Sequence, residues 1–240
     1  MRTLTMIHTV HWYDQSVIAP FAKGWLAANP DVRAINIMDD SLLAESLEHD
    51  GPTEAVAGRI ECYVKAAVLT GADVIMSSCT TMGRAVERAR AGCPVPLFNI
   101  DEPMCRAAVA AGARLGILAT VPTSAPATRY LLEREARQQG RTITIETVIN
   151  PPAFAALLAG NRAEHDRLVH AEMDRLAARV DVIVLGQISL AQIQHRPPGV
   201  TVLQVGHSGF AEARRLLSAA GAKEGAAAHA PPPRLAAAGG

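Results

Sequence analysis

Short runs rich in β-branched and aliphatic residues alternate along this chain with longer stretches in which apolar positions recur every three or four residues. The short runs fall at 4–9, 32–38, 73–78, 95–100, 114–120, 142–149, 181–186 and 201–205. That alternation predicts a mainly parallel sheet covered by helices. Helix starts and stops carry their own signals. Asn161 is placed to cap a helix with Glu164 three residues on, followed by a stripe of Leu168, Val169, Met173, Leu176 and Ala177. Ile60, Tyr63, Val64, Ala67 and Val68 form a second stripe over 53–68, ended by Gly71. Cys62 lies in that helix and reads as core. Pro103 and Pro126 sit near helix starts, and Gly92 and Gly140 read as stops.

The pattern repeats. Residues 71–83, with Asp73-Val74-Ile75 before Cys79, overlie 179–191, with Asp181-Val182-Ile183 before Gln187, at an offset of 108 residues. Ala34 to Ile37 overlie Thr142 to Ile145 at the same offset, Thr9-Val10 matches Thr120-Val121 at 111, and Val95 to Asp101 matches Thr201 to His207 at 106. The expectation is an α/β protein of two pseudo-symmetric lobes, each a mainly parallel four-stranded sheet flanked by helices. The first lobe takes residues 1–104 plus 208–218 and the second 105–207. Ligands of open α/β sheets bind beyond the carboxyl ends of the strands, so Cys79 and Gln187 are expected on opposite walls of one cleft. From 219 to 240 the sequence degenerates into Ala, Gly and Pro, which predicts a disordered tail.

Composition narrows the function classes. Hydrophobic residues make up 49% and charged residues 19%, a globular profile. Lys plus Arg and Asp plus Glu balance at 23 each, so no positive field draws nucleic acid or a membrane surface, and a small molecule is the expected partner. The first residues lack a secretory signal, no apolar run reaches bilayer length, and the four cysteines have no CxxC spacing; these features predict a cytoplasmic protein with reduced thiols. No third ligand joins His8 and His11, and no glycine-rich phosphate loop follows a strand, so neither a metal nor a cofactor is expected.

Cys79 carries the candidate chemistry. It follows a buried-strand signature and precedes a helix opening, where unpaired N–H groups and the helix dipole are expected to favour thiolate. With Ser78, Thr80 and Thr81 around it, the turn suits a substrate carboxylate. Thr9 and Thr120 are repeat mates at strand ends, and His8 and His207 stand at strand ends as candidate bases. Asp39, Asp40 and Ser41 read as cleft wall or as a helix cap. Asp101 and Glu102 are the acidic residues expected at a helix start. His165 and Asp166 read as surface capping groups.

These motifs resemble the aspartate/glutamate racemase superfamily, which also includes hydantoin racemases, maleate isomerases and arylmalonate decarboxylases. The likeness runs from Thr5 to about Leu217. It implies that Cys79 is the first-lobe catalytic cysteine, that Thr80 and Thr81 contact a substrate carboxylate, that Thr120 to Thr123 form a substrate-touching loop, and that the protein is a homodimer or higher homo-oligomer. The chain departs from the family pattern where a second cysteine is due. It has Gln187 there, followed by Ile188 and Ser189, and an amide binds a carboxylate without relaying a proton. The expected function is cofactor-independent proton transfer on a small carboxylate by the single thiol of Cys79, with Gln187 and Ser189 as binding residues. The alternatives are decarboxylation or cis-trans isomerisation of a small dicarboxylate, and a degenerate protein that binds a small acid without turning it over.

Overall fold

The computed structural model describes residues 1–228. Two four-stranded sheets form, each entirely parallel. In the first, β1 (Arg2–His8), β2 (Val32–Met38), β3 (Val74–Ser77) and β4 (Leu97–Asn99) are ordered β2-β1-β3-β4. In the second, β5 (Arg114–Ala119), β6 (Thr144–Ile149), β7 (Val182–Leu185) and β8 (Thr201–Gln204) are ordered β6-β5-β7-β8. The two orders are the same, as the repeat requires. Register refines the repeat. Thr5 pairs with Ile35 and Ile75, while Gly116 pairs with Glu146 and Ile183, so the first two strands of each half correspond at an offset of 111 and the third at 108. The 108-residue match of the second strands is therefore out of register by three residues.

Helices α3 (Glu54–Leu69) and α4 (Gly83–Arg90) cover the outer face of the first sheet, burying Ile60, Val64, Val86 and their neighbours against Ile7 and Ile75. Helix α8 (Arg162–Ala177) does the same for the second, with Val169, Met173 and Leu176 against Leu118 and Ile183. Its cap forms as expected, the Asn161 side chain accepting from the Glu164 N–H at 3.1 Å. Between the sheets lies one continuous apolar cluster that holds Leu4, Met6, Val74 and Met76 together with Leu115, Ile117, Val182 and Val184. Helix α5 (Glu102–Ala111) spans the expected lobe boundary at 104 and packs on α6 (Ser124–Gln139), on β7 and β8, and on the final helix α9 (His207–Ala228). Gly140 ends α6 at φ +61°, a conformation glycine adopts without the steric penalty of a Cβ.

Three expectations need correction. Cys62 is exposed, on the solvent side of α3. His165 is buried rather than a surface cap, its Nδ1 2.6 Å from Asp166. Helix α9 continues through Ala228, past residue 219 where the tail was expected to start; the rest of that segment, 229–240, lies outside the described residues. No described helix is long and apolar enough to cross a membrane.

Candidate active site

The chain leaves β3 at Ser78-Cys79 and turns at once into a short 3-10 turn, Thr80–Met82. It leaves β7 at Gly186-Gln187 and turns in the same way into Ile188–Leu190. Cys79 (φ −123°, ψ 117°) and Gln187 (φ −127°, ψ 133°) thus occupy equivalent backbone positions in the two halves. Both face one cleft, lined also by Thr9, Ser78, Thr80, Thr81 and Ser189. The two turns are joined across the lobes. The Thr80 hydroxyl donates to the Gly186 carbonyl, and the Thr81 and Thr123 hydroxyls lie 3.2 Å apart.

Cys79 is half-buried. Its thiol is pushed above the ordinary thiol range, first by burial, with the Thr9 hydroxyl and the N–H groups of Thr81 and Met82 opposing and the charge of Asp101 adding to the rise. The expectation of a readily formed thiolate is therefore corrected: the turn supplies the N–H groups, and desolvation outweighs them. Asp101 and Asn99 lie behind the turn. The Asn99 amide donates to the Cys79 carbonyl at 3.2 Å and to Asp101 Oδ1 at 2.9 Å.

Gln187 is buried, and every polar atom of its side chain is engaged. Its Oε1 accepts from the N–H of Thr120 (2.9 Å) and the N–H of Val121 (3.1 Å), and the Ser124 hydroxyl, 3.0 Å away, donates to the Val121 carbonyl at 2.7 Å. Its Nε2 donates to the Thr120 hydroxyl (3.0 Å) and the Ser189 hydroxyl (2.9 Å). Thr120 thus meets Gln187 rather than the cleft, and Thr123 reaches the site only through Thr81.

His8 is buried behind Ser78 and does not line the cleft. Its Nδ1 is 2.9 Å from the Ser78 hydroxyl, its Nε2 2.9 Å from Asn36 Oδ1, and its ring stacks on Tyr13 at 4.3 Å. Burial lowers its pKa against the opposing hydrogen bond to Asn36, which favours the neutral ring. With both nitrogens engaged, it is built to hold Ser78. His207 is exposed and sets its ring edge-on to Phe21, outside the cleft. Asp39 accepts from the Ser41 N–H (3.0 Å) and the Tyr63 hydroxyl (2.8 Å) in a local turn. Asp40 and Ser41 line only the outer mouth. Among the described residues, no three His, Cys, Asp or Glu side chains are grouped to hold a metal ion.

The apolar wall went unread in the sequence. Trp12 and Val17 reach the cleft from a π-helical segment, Asp14–Ala22, and the turn before it. Leu43 comes from α2 (Ser41–Glu48) and Phe154 from α7 (Pro151–Leu158), the helices that follow β2 and β6. Pro20 lies inside the first segment, where a missing N–H disfavours a regular helix; α2 and α7 have eight residues each, too few for a clear period. Ser124 was within reach, one residue beyond the Thr120 to Thr123 loop.

The fold is similar to that of several solved structures. An allantoin racemase from Klebsiella pneumoniae matches with TM-score 0.64 at 17% identity, over 95% of this chain and 89% of that one. An aspartate racemase homologue from Pyrococcus horikoshii OT3 matches with TM-score 0.63 at 15% identity, over 92% and 100%. A glutamate racemase from Thermus thermophilus, in complex with β-chloro-D-alanine, matches with TM-score 0.67 at 16% identity, over 92% and 82%. No curated protein matches the sequence. The profile of the family described as Asp/Glu/Hydantoin racemase matches residues 21–214. With that match over most of its length and two equivalent strand-end turns facing one cleft, the chain belongs to the Asp/Glu/hydantoin racemase family.

Proposed function

We propose that this protein catalyses cofactor-independent proton transfer at the carbon next to the carboxylate of a small acid, with Cys79 as the group that removes and returns the proton. The observation that carries this reading is the asymmetry of the cleft. One strand-end turn holds a half-buried thiol within reach of the Thr9 hydroxyl and two backbone N–H groups, and the equivalent turn holds an amide. An ionised thiol is a competent carbon base, and the amide cannot carry a proton in either direction. Bound carboxylate is met by the polar side of the cleft, where the Thr9 and Thr81 hydroxyls and the Thr81 N–H stand beside the sulfur, the hydroxyls of Ser78 and Thr80 being turned to His8 and Gly186.

A single acid/base group works from one face of the substrate. In deuterated water, deuterium should therefore enter the α-carbon faster than optical activity is lost. Paired NMR and polarimetry on a panel of small chiral acids measures both rates. Cys79→Ala should slow the exchange by roughly 10²–10⁴-fold, the range typical of a positioned acid/base group. Full exchange in that variant would sink the proposal. Binding without exchange in the wild type would instead identify a protein that holds its ligand unchanged.

A further inference from the structure

The two strand-end turns differ in what they leave open to a ligand. At Gln187, two backbone donors converge on one oxygen: the N–H groups of Thr120 and Val121, both within 3.1 Å of Oε1, with the Ser124 oxygen, whose proton goes to the Val121 carbonyl at 2.7 Å, packed beside them. Such convergence is the geometry that receives a carboxylate oxygen or an oxyanion. Here the chain's own amide occupies it. Both N–H bonds of that amide are committed to Thr120 and Ser189, so its donors have no vacancy for a ligand.

A second observation comes from the remaining wall. Val10, Trp12, Leu43, Val121, Phe154 and Ile188 are apolar, and among the described residues no Lys, Arg or His lines this cleft. The basic residues nearby, His11 and Arg162 beyond Trp12 and Arg84 beyond Thr81, line adjoining grooves that share those residues with the cleft. Arg162 is paired with Asp166 at 2.9 Å, and Arg84 stacks over the Tyr130 ring at 4.9 Å. A second carboxylate on a ligand would have to shed its water against this wall with nothing to replace it. Burying an unpaired carboxylate is strongly unfavourable, whereas an aryl or branched alkyl group gains by leaving water there.

We infer that Gln187 is a specificity-determining residue: by filling the second-half donor cradle beside an uncharged apolar wall, it restricts the cleft to acids with one carboxylate and an apolar substituent. This inference rests on the proposed function only in taking the ligand to be a carboxylate. It excludes dicarboxylates, the second-carboxylate side chains of acidic amino acids included.

The matched probes are 3-phenylpropanoate and succinate, which differ by a phenyl ring in place of a carboxylate. Calorimetric titration of the full chain should give at least about tenfold tighter binding of 3-phenylpropanoate, the equivalent of one lost charged contact. Gln187→Gly empties the cradle and should narrow that ratio by about tenfold or reverse it. Phe154→Arg, on a half-buried side chain, supplies a cation while leaving the amide in place, and should raise succinate affinity by a similar factor. Equal binding of the two probes by the wild type, tighter succinate binding, or binding of neither overturns the inference, as does an unchanged ratio in both folded variants. Isotope exchange in Cys79→Ala reads proton transfer, whereas the titrations read binding by the wild type and the two cleft variants, so the two ideas fail separately.

Discussion

The carboxyl of Asp101 is fully buried behind the Cys79 turn, its Oδ1 accepting from Asn99 and its Oδ2 without a hydrogen-bond partner. Burial, and then the neighbouring charge of Glu102, pushes its pKa up from 3.8 to about 7. The other titratable groups around it are Cys79 and Cys105, with Glu135 and Arg134 beyond. A carboxyl whose folded pKa lies above its unfolded value favours the fold while protonated. That contribution is full below pH 3.8 and is lost as pH rises through about 7. The Asp101 contribution therefore falls over this window, opposite in sign to that of His8, and in a pH series of thermal melts Asp101→Asn should gain melting temperature relative to wild type as pH rises. The same ionised carboxylate raises the Cys79 thiol, so in Asp101→Asn the pH profile of Cys79 alkylation, followed by peptide mass spectrometry, should move to lower pH. An unmoved profile would show that Asp101 does not act on the sulfur. The place of Cys79 was legible in the sequence, because a β-run ending in Ser-Ser-Cys-Thr-Thr fixes a strand end. Its ionisation was not, because burial of the sulfur and the charge of Asp101, 22 residues away in the chain, act on it only in the fold. Gln187 was legible as the repeat mate of Cys79, but not the four hydrogen bonds that hold its amide.

Elements with strong local signals were read closely. Helix α8 has a capping asparagine, a regular stripe and no internal breaker, and it begins and ends within a few residues of the expected bounds. Asn161→Ala removes the hydrogen bond to the Glu164 N–H and should lower stability by about 1 kcal/mol in urea denaturation, with no change at the cleft. The segment that brings Trp12 and Val17 to the cleft was hidden for the opposite reason. Pro20 has no N–H to donate, and the wider π register absorbs it, with the Lys23 N–H bonding five residues back to the Ile18 carbonyl. Local propensity speaks against such an element; packing of Val17, Phe21 and Ala22 into the central cluster supports it.

Across the whole molecule, the halves are tied by charge as well as by apolar contact. Arg134, on α6 and largely buried, bridges Glu102 on α5 at 3.1 Å and Glu135 at 3.0 Å, and approaches Glu87 on α4 at 3.7 Å. Arg134→Met keeps the bulk and removes the one cation shared by two buried carboxylates, leaving Glu102 to Arg90 and Glu135 to the longer 3.6 Å contact with Arg106. It should destabilise the protein by about 3 kcal/mol, measured by urea denaturation, whereas the Met variant of exposed Arg167 should stay within about 0.5 kcal/mol of wild type. The duplicated strand order was readable from the sequence because the repeat spans whole βα units. The apolar seam between the sheets was not, since Leu4 and Leu115 look like any strand residues until both are seen to bury the same cluster. That seam limits how the molecule breathes. A clamshell needs a wet hinge plane, and here the plane is filled with interlocked side chains from both sheets, so calorimetry should record one melting peak. Traffic into the interior then falls to the rim, where α2 and α7 set Leu43, Leu47, Phe154 and Leu158 around the entrance, so an arriving molecule crosses a greasy collar before it meets the sulfur.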